Sequence, residues 1–471
     1  MTYTPRPGSI PTLGVPSLEG IERVHMVGIG GAGMNGVARL LLARGIAVSG
    51  SDLKDSRGLA GLRVHGAEIF VGHRAEQLGS PDAVVISTAV PESNPELVSA
   101  RKRGLPVFAR AQVLAALADG KQLFAISGTH GKTTTTSMLA VIFERAGLDP
   151  TFVIGGDLNE SGSGARPGGG GVFVAEADES DGSFLLLAAD VVVVTNVEED
   201  HLDFYSGREE IIDAFAAFFA SAGQIVANGD DAGVRVALER AGRVAETYGT
   251  GPDNDAVLNV VEESRLETRG SLALGEENVE IALRAPGVHN LLNAAAALLA
   301  ARHGGMEPAA AAEALASYSG VRRRFEYRGA GRGAQFYDDY AHHPTEISAT
   351  ISAARQDGHE RLVAVFQPHR YTRTQALWRA LGESLAGADV VVVTDVYAAG
   401  EEPIPGVSGK LLVDALGEAD ARKRMVYLPR RADVVRFLAT ETKPGDLVLT
   451  LGAGDITMVA DETLDRIGEA P

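Results

Sequence analysis

Leu123-Phe-Ala-Ile-Ser-Gly-Thr-His-Gly-Lys-Thr-Thr-Thr-Thr136 is the stretch that decides how this chain folds. An apolar run, Leu123 to Ser127, leads into S-G-T-H-G-K-T and then into a helical segment, Thr133 to Ala146, that opens with four Thr in a row. Strand, glycine turn and helix in that order are what a phosphate-binding loop requires. The glycines let backbone N–H groups converge on phosphate oxygens at a helix N-terminus, where the helix dipole favours an anion. Lys132 would reach the β and γ phosphates, and the Thr133 hydroxyl would ligate Mg2+. The loop departs from the usual G-x-x-x-x-G-K-T: Ile126 stands at the first glycine position, and the spacing is G-x-x-G-K-T.

Two later runs end in groups suited to the same metal. Val172 to Ala175 runs into Glu176-Ala-Asp-Glu-Ser-Asp181, and Val191 to Val194 runs into Thr195-Asn-Val-Glu-Glu-Asp-His-Leu-Asp203. A buried strand exposes carboxylates only as it emerges at the C-terminal edge of the sheet, where ligands bind in open α/β folds. A single His after a strand, such as His201, ordinarily reads as a structural hydrogen-bond partner. At the same edge as a Lys-Thr phosphate loop it reads as a ligand. The Gly-rich stretch Gly162 to Gly171 reads as a surface loop, with direct ligand contact as the alternative.

Upstream, the strand Val24 to Ile29 meets a helical run through Leu40, Leu41 and Leu42 to Arg44, across the turn Gly28-Ile-Gly30-Gly31-Ala32-Gly33-Met34. A second strand, Ala47 to Ser51, ends at Asp52. This is a dinucleotide-site fingerprint, and taken alone it suggests NAD, although a glycine turn at a helix N-terminus accepts any pyrophosphate. An apolar stretch Ala83 to Ser87 and a helical Ala111 to Ala118 complete a parallel unit that ends near Ala118 to Lys121. Downstream, the helical Arg208 to Ala220 and Leu291 to Ala301 belong to the phosphate-loop unit, and Val321 to Arg324 reads as a linker. Strands at Leu362 to Phe366, Val390 to Thr394 and Leu447 to Leu451 alternate with helices in a third unit. There Phe366 to Thr374 reads F-Q-P-H-R-Y-T-R-T, presenting His369, Arg370 and Arg373 from a loop rather than a helix face. Two guanidinium forks three residues apart suit a carboxylate.

At 471 residues the chain exceeds one ordinary core. Its 45% hydrophobic and 22% charged residues are those of a soluble globular protein. No apolar run reaches bilayer-spanning length. Cys is absent, which excludes disulfides and thiolate metal sites. A net charge of -19 argues against nucleic acid as a partner. The first twenty residues read as a flexible tail rather than a signal peptide, so a cytoplasmic location is expected.

G-T-H-G-K-T-T-T, E-A-D-E-S-D, T-N-V-E-E-D-H-L-D, H-N-L-L-N, R-R-R-F and D-D-Y-A-H-H-P-T-E occur in this order, and with them the chain resembles the Mur ligase family from about Val24 to Asp455. The resemblance implies an α/β chain of three domains: a Rossmann-like UDP-sugar-binding domain (21–119), a central P-loop ATPase with a mostly parallel sheet (120–320), and a Rossmann-like C-terminal amino-acid-binding and closure domain (321–471). It implies an ATP-dependent acid:amino-acid ligase of peptidoglycan precursor synthesis. The substrates would be UDP-N-acetylmuramic acid and, on the strength of Q-P-H-R-Y-T-R-T, L-alanine. The metal would be Mg2+, replaceable by Mn2+, and the enzyme a monomer or homodimer.

By the same resemblance Gly128, Thr129, His130, Gly131, Lys132, Thr133 and Thr134 hold the ATP phosphates. Thr133 and Glu176 bind one metal and His201 a second. Asn290 and Asn293 meet the adenine or cap their helix, and Arg323 and Asp338 also serve ATP. Gly30, Gly31, Ala32, Gly33, Met34 and Asp52 would bind the UDP-sugar, with His73, Ser87 and Arg110 as further candidates. Tyr340 would border the alanine side chain beside His369, Arg370 and Arg373. His342 is the candidate base, with His343 or a metal-bound carboxylate as alternatives. Several relatives use a carbamylated Lys as an extra metal ligand. No Lys occurs here between Lys132 and Lys410, so that device is absent. Against this ligase stand a NAD-dependent dehydrogenase, a related ligase that adds a muropeptide, and a non-catalytic UDP-sugar sensor.

Overall fold

The computed structural model describes residues 15–159, 163–202, 204–264, 267–356, 359–420 and 422–468. Most of the expected tail, Gly162 and Asp203 therefore lie outside the described residues. Contacts divide the chain into two compact units. One holds Met1–Asn259, Ser271–Ile281 and Leu292–Tyr318; the other holds Val260–Gly270, Ala282–Leu291 and Ser319–Pro471.

The first sheet contains β1 (Arg23–Val27), β2 (Ala47–Asp52), β3 (Glu68–Val71), β4 (Ala83–Ile86) and β5 (Val107–Ala109), all parallel, in the order β3-β2-β1-β4-β5. Val24, Met26 and Val27 of β1 are fully buried, as expected for a central strand covered on both faces. The strand order reverses between β1 and β4, which opens a crevice above their C-terminal ends. Gly28 fills the head of that crevice with φ +79°, so the strand ends two residues earlier than the apolar run suggests.

The second sheet follows with β6 (Gln122–Ser127), β7 (Thr151–Leu158), β8 (Ser163–Arg166), β9 (Val172–Glu176), β10 (Val191–Val194), β11 (Gln224–Asn228), β12 (Glu246–Gly249), β13 (Ala256–Glu263), β14 (Thr268–Leu274) and β15 (Glu277–Leu283). Its order is β15-β14-β13-β12-β11-β10-β6-β9-β7-β8. The phosphate-loop strand β6 thus lies between the two strands whose ends carry the candidate metal ligands, and all three are parallel. Register brings Ile126 beside Glu176 and Ser127 beside Val194.

The Gly-rich stretch is only partly the loop expected. Ser163–Arg166 is a strand, paired antiparallel with β7. The glycines beyond it lie on the backbone of 148–150: a Cβ at Gly168 or Gly170 would run into Asp149 O or Leu148 O. Those glycines permit close backbone approach rather than ligand contact. The β7–β8 hairpin in turn receives the helix Ala32–Ala43, whose Gly36 is so close that a Cβ would stand 2.9 Å from Val153 Cγ1. That contact joins the first sheet's glycine-turn helix to the second sheet within one unit.

The third sheet comprises β16 (Glu326–Gly331), β17 (Ala334–Asp339), β18 (Arg361–Phe366), β19 (Val390–Val393), β20 (Arg424–Tyr427) and β21 (Asp446–Leu451), in the order β16-β17-β21-β18-β19-β20. All pairs are parallel except β16 with β17. Val363, Val365, Val390, Val392 and Val448 pack one face, and Leu362, Ala364, Phe366, Val391 and Leu449 the other.

Candidate functional site

The helix Lys132–Arg145 starts at the last residue of G-T-H-G-K, with Gly131 as N-cap at φ +80°. That left-handed backbone favours glycine, and space demands it too: a Cβ there would stand 2.5 Å from Asn293 Oδ1. A Cβ at Gly128, φ +129°, would run into Thr195 Oγ1. The loop is clamped from β10. Thr129 N–H donates to Asn196 O at 3.1 Å, His130 N–H to Asn196 Oδ1 at 2.8 Å, and Thr195 Oγ1 and Asn196 Nδ2 donate to His130 O. Thr195 and Asn196, the first two residues past the strand, make these bonds.

Lys132 folds back over its own loop. Its Nζ donates to Gly128 O at 2.6 Å, to Thr129 O at 3.1 Å and to Glu179 Oε1 at 2.9 Å. Glu179 is 2% exposed. The same Oε1 lies 3.5 Å from His201 Nε2, while Oε2 is buried with no hydrogen-bond partner. Glu179 therefore joins Lys132 to His201, a role the motifs did not assign to it. Glu176 Oε2 accepts Gly155 N–H from β7 at 2.7 Å, and its carboxylate is hydrogen-bonded to the Thr133 hydroxyl. His201 sits in the left-handed region at φ +54°, a conformation kept where surrounding contacts fix it. Asp200 Oδ1 accepts its N–H at 2.8 Å, and its carbonyl accepts the N–H groups of Phe204 and Tyr205.

The charges interlock. Burial alone would lower Lys132 and His201, but neighbouring carboxylates, Glu179 foremost, outweigh it and hold both above their ordinary values. Burial would raise Asp178, yet Lys132, His201 and Arg110 pull it down to about 2. Glu176 is pushed up by burial despite Lys132. A buried carboxylate with a raised pKa, a second with an orphaned oxygen, a hydroxyl and an imidazole form an oxygen-and-nitrogen donor set that fits Mg2+ or Mn2+.

In the first sheet, Gly30 N–H donates to Asp52 Oδ2 at 2.8 Å, so the β2 carboxylate ties down the turn itself. Gly31 caps the helix. Gly33 admits Arg110, whose Nη1 would stand 2.8 Å from a Cβ at that position. Ser87 borders Gly28 across β1 and β4, and its Oγ accepts Ala89 N–H. Gly30, Gly31, Gly33, Asp52, Ser87 and Arg110 thus gather at one edge. Met34 does not present its side chain there: it is 2% exposed and part of the core. Of Ala32 only the backbone is described. His73 follows β3 and bonds inward, to Ser51 Oγ at 2.9 Å.

Asn293, 7% exposed, accepts Thr135 Oγ1 at 3.2 Å beside the phosphate loop. Asn290 Nδ2 donates to Pro286 O at 2.6 Å. Their helix begins at Val288, three residues before the expected start, so neither is its N-cap.

In the second unit Arg323, at φ +60°, sends Nη2 to Gly452 O at 2.6 Å and Nε to Asp338 Oδ2 at 3.3 Å. Asp338 also accepts the hydroxyls of Thr450 and Thr457. Both residues are thus engaged in the third sheet's own loops. The guanidinium groups of Arg323 and Arg324 lie over the Tyr340 ring, 4.8 and 5.3 Å from its centroid. His342 Nδ1 lies 3.0 Å from Tyr340 O, and its ring is 5.8 Å from that of His369, which stacks on Tyr397. Arg373 corrects the expectation of a loop. The helix Tyr371–Ser384 already contains it in the first turn, with Arg370 as N-cap at φ +70°. Its Nη1 lies 3.3 Å from His369 Nδ1. Two arginines at a helix N-terminus oppose the dipole, and Glu401 offsets them there: its carboxylate accepts Thr372 N–H at 3.0 Å and lies 4.0 Å from Arg370 Nη1.

Comparison with known proteins accounts for this layout. The Mur ligase family catalytic domain matches residues 23–122, the Mur ligase middle domain 126–301, and the Mur ligase glutamate ligase domain 323–454. The UDP-N-acetylmuramate–L-alanine ligase of Saccharopolyspora erythraea is 47% identical over 460 residues, covering 95% of this chain and 94% of that protein. Its namesake from Pelotomaculum thermopropionicum is 46% identical, with 95% and 98% covered. The crystal structure of UDP-N-acetylmuramate-alanine ligase from Thermotoga maritima aligns with a TM-score of 0.82 at 29% identity, over 95% of this chain and 100% of that one. A murein peptide ligase from Psychrobacter arcticus shares the fold, with a TM-score of 0.71 at 24% identity over 96% and 100%. With every sheet and every motif falling inside these matches, the chain belongs to the Mur ligase family.

Proposed function

We propose that the chain uses ATP to join L-alanine to the lactyl carboxylate of UDP-N-acetylmuramate, giving UDP-N-acetylmuramoyl-L-alanine, ADP and phosphate. The observation that carries this reading is the phosphate loop on β6, set between the acidic ends of β9 and β10, in a chain 47% identical over 95% of its length to a protein named for that reaction. The reading divides the chain into a tail (1–20), a UDP-sugar domain (21–119), an ATPase domain (120–320) and an amino-acid domain (321–471).

In the first step the lactyl carboxylate oxygen bonds to the γ phosphorus of ATP, and the bond from that phosphorus to the bridging oxygen breaks, releasing ADP. The alanine amine then attacks the acyl carbon of the acyl phosphate, and inorganic phosphate leaves with the C–O bonding pair. Both steps concentrate negative charge on the phosphoryl group, so Lys132 and the loop N–H groups act by positioning and electrostatics. Thr133, Glu176 and His201 would hold Mg2+, which would neutralise phosphate charge when bound. The amine must lose a proton. His342, whose Nδ1 lies 3.0 Å from Tyr340 O, is the base this reading assigns. Arg370 and Arg373 would take the alanine carboxylate. Among the described residues no helix is long and apolar enough to cross a membrane; the enzyme is read as a cytoplasmic monomer or homodimer.

Phosphate release with UDP-N-acetylmuramate, ATP and a panel of amino acids and a muramyl tripeptide tests the reading. Alanine is expected to give the fastest turnover. Binding of all three substrates without phosphate release would instead mark a sensor, preference for the tripeptide a recycling ligase, and fluorescence of bound NADH a dehydrogenase.

A further inference from the structure

Glu96 is fully buried, yet it belongs to none of the motifs discussed above. It stands in the first turn of the helix Pro95–Lys102, behind the cap Asn94, whose Oδ1 accepts Glu96 N–H at 2.9 Å. The carboxylate points away from its own helix into the first sheet. There Ser51 Oγ donates to Oε2 at 2.5 Å, and His73 Nδ1 lies 2.9 Å from that hydroxyl and 3.4 Å from the same Oε2. His25 Nε2 approaches from beneath at 3.6 Å, and Arg74 N–H donates to Oε1 at 3.3 Å. Ser51 and His73 flank the end of the sheet where Asp52 closes the glycine turn: Gly72 N–H, between β3 and His73, donates to Asp52 O at 2.7 Å.

A bare carboxylate in a core is costly unless donors surround it. Here they do. Burial would raise the carboxyl, but the His25 ring beside it and the hydrogen bonds from Ser51 and the Arg74 N–H outweigh it and hold Glu96 below its ordinary value. An ionised Glu96 accepts from the Ser51 hydroxyl, whose oxygen then accepts from a nearby N–H; His73 Nδ1 is placed to supply it. A proton held on Nδ1 leaves Nε2 as the ring's acceptor. The His73 side chain keeps 15% of its surface exposed. A buried acid behind a hydroxyl behind a partly exposed imidazole is the arrangement that fixes a ring's tautomer and orientation in many sites.

We infer that Glu96 is a positioning residue for the UDP-sugar: through Ser51 it holds His73 with Nδ1 protonated and Nε2 turned outward to accept a hydrogen bond from an N–H or O–H of the uridine. This rests on the reading that the first sheet's C-terminal edge takes the UDP-sugar. The rival account makes Glu96 a structural pin between its helix and β2, indifferent to what His73 touches.

The two differ in a double-mutant cycle measured on the full chain by steady-state phosphate release. Glu96→Gln is expected to raise the KM for UDP-N-acetylmuramate roughly tenfold, the effect of one lost charge-assisted hydrogen bond, and to leave the KM for ATP unchanged. In a His73→Ala background the same substitution should add nothing, because the group it positions is gone. Nitrogen-15 shifts of the His73 ring should report an Nδ1–H tautomer in the parent and a mixture in Glu96→Gln. Ser51→Ala, which removes the relay and keeps the carboxylate, should reproduce the KM effect and carries the test should Glu96→Gln not fold. An equal KM rise in both backgrounds, or an unshifted tautomer, overturns the inference. If His73→Ala alone leaves the UDP-sugar KM unchanged, the ring does not touch this ligand and the assignment beneath the inference fails with it.

Discussion

Gly155→Ala puts a methyl group against the carboxylate proposed to hold Mg2+. The new Cβ would stand 2.5 Å from Glu176 Oε1 and 2.9 Å from its Cδ, so the side chain must swing away. What it meets is the far end of a flexible side chain. The φ at Gly155 is not in the left-handed region, and Gly→Ala at a compatible position trims unfolded-state entropy. The fold should therefore tolerate the change. The site should not, because the swing also breaks the 2.7 Å bond from Gly155 N–H to Oε2. A hydrogen bond to a charged group contributes about 1.5 to 3 kcal/mol, and losing a group that orients a metal ligand typically costs roughly ten- to hundredfold in metal affinity or activity. Phosphate release titrated with Mg2+ should show a half-saturating concentration raised by a factor in that range, with the melting temperature of the metal-free protein lowered by no more than the few degrees that one lost hydrogen bond accounts for. An unaltered Mg2+ titration would refute Glu176 as ligand. A collapse in melting temperature would show instead that Gly155 serves the fold.

Lys132→Ala should abolish nearly all ligation while UDP-sugar binding, followed by calorimetry, stays near the parent value; an active variant would move the ATP site elsewhere. Arg373→Ala should raise the alanine KM by roughly ten- to hundredfold through loss of a bidentate pair with little change for ATP, and Arg373→Lys should fall between; an unmoved alanine KM in both would remove these arginines from the carboxylate site. Burial pushes Asp339 up to about 6, against Arg324 and the N–H groups of Ala341 and Phe325. With the folded pKa above the unfolded one, this group's contribution is fully present below about pH 4 and is lost as pH rises through 6. Thermal melts of the parent relative to Asp339→Asn should show the parent losing ground between those limits, and parallel curves would exclude it.

The sheets were legible because buried parallel strands are written as short apolar runs, and Val191–Val194 and Val390–Val393 are each four valines. Strands of another kind were not. Ser163–Arg166 reads S-G-A-R, and only its hairpin partner makes it a strand. Arg373 was placed in a loop because its segment follows an apolar strand, yet the helix begins at Tyr371, directly after Arg370 at φ +70°. Within the site, Lys132, Thr133 and His201 announced themselves by type and spacing. Glu179 did not, for E-A-D-E-S-D offers four acids and spacing cannot say which faces the lysine. Thr195 and Asn196 stood in plain view as T-N, but their hold on His130 O depends on β10 lying beside β6.

Glu179 also bears on how the proposed ATP site holds its lysine. A buried lysine with no anion beside it would tend to lose its proton or its conformation. Paired with Glu179 Oε1, and donating to two carbonyls of its own loop, Lys132 keeps both. The incoming phosphates then compete with a carboxylate that already shares its oxygen with His201 and has a second, unpartnered oxygen. Removing the acid therefore has opposed effects: Glu179→Gln frees the lysine for phosphate but leaves its buried charge beside a neutral amide. Breaking one side of such a pair costs about 3 to 5 kcal/mol, more than a phosphate contact regains at low ATP. The net expectation is a less stable chain whose ATP-saturated form recovers most of the loss, so the shift in melting temperature on adding ATP should be larger in Glu179→Gln than in the parent. An equal or smaller shift would mean that Glu179 stays with Lys132 when ATP binds.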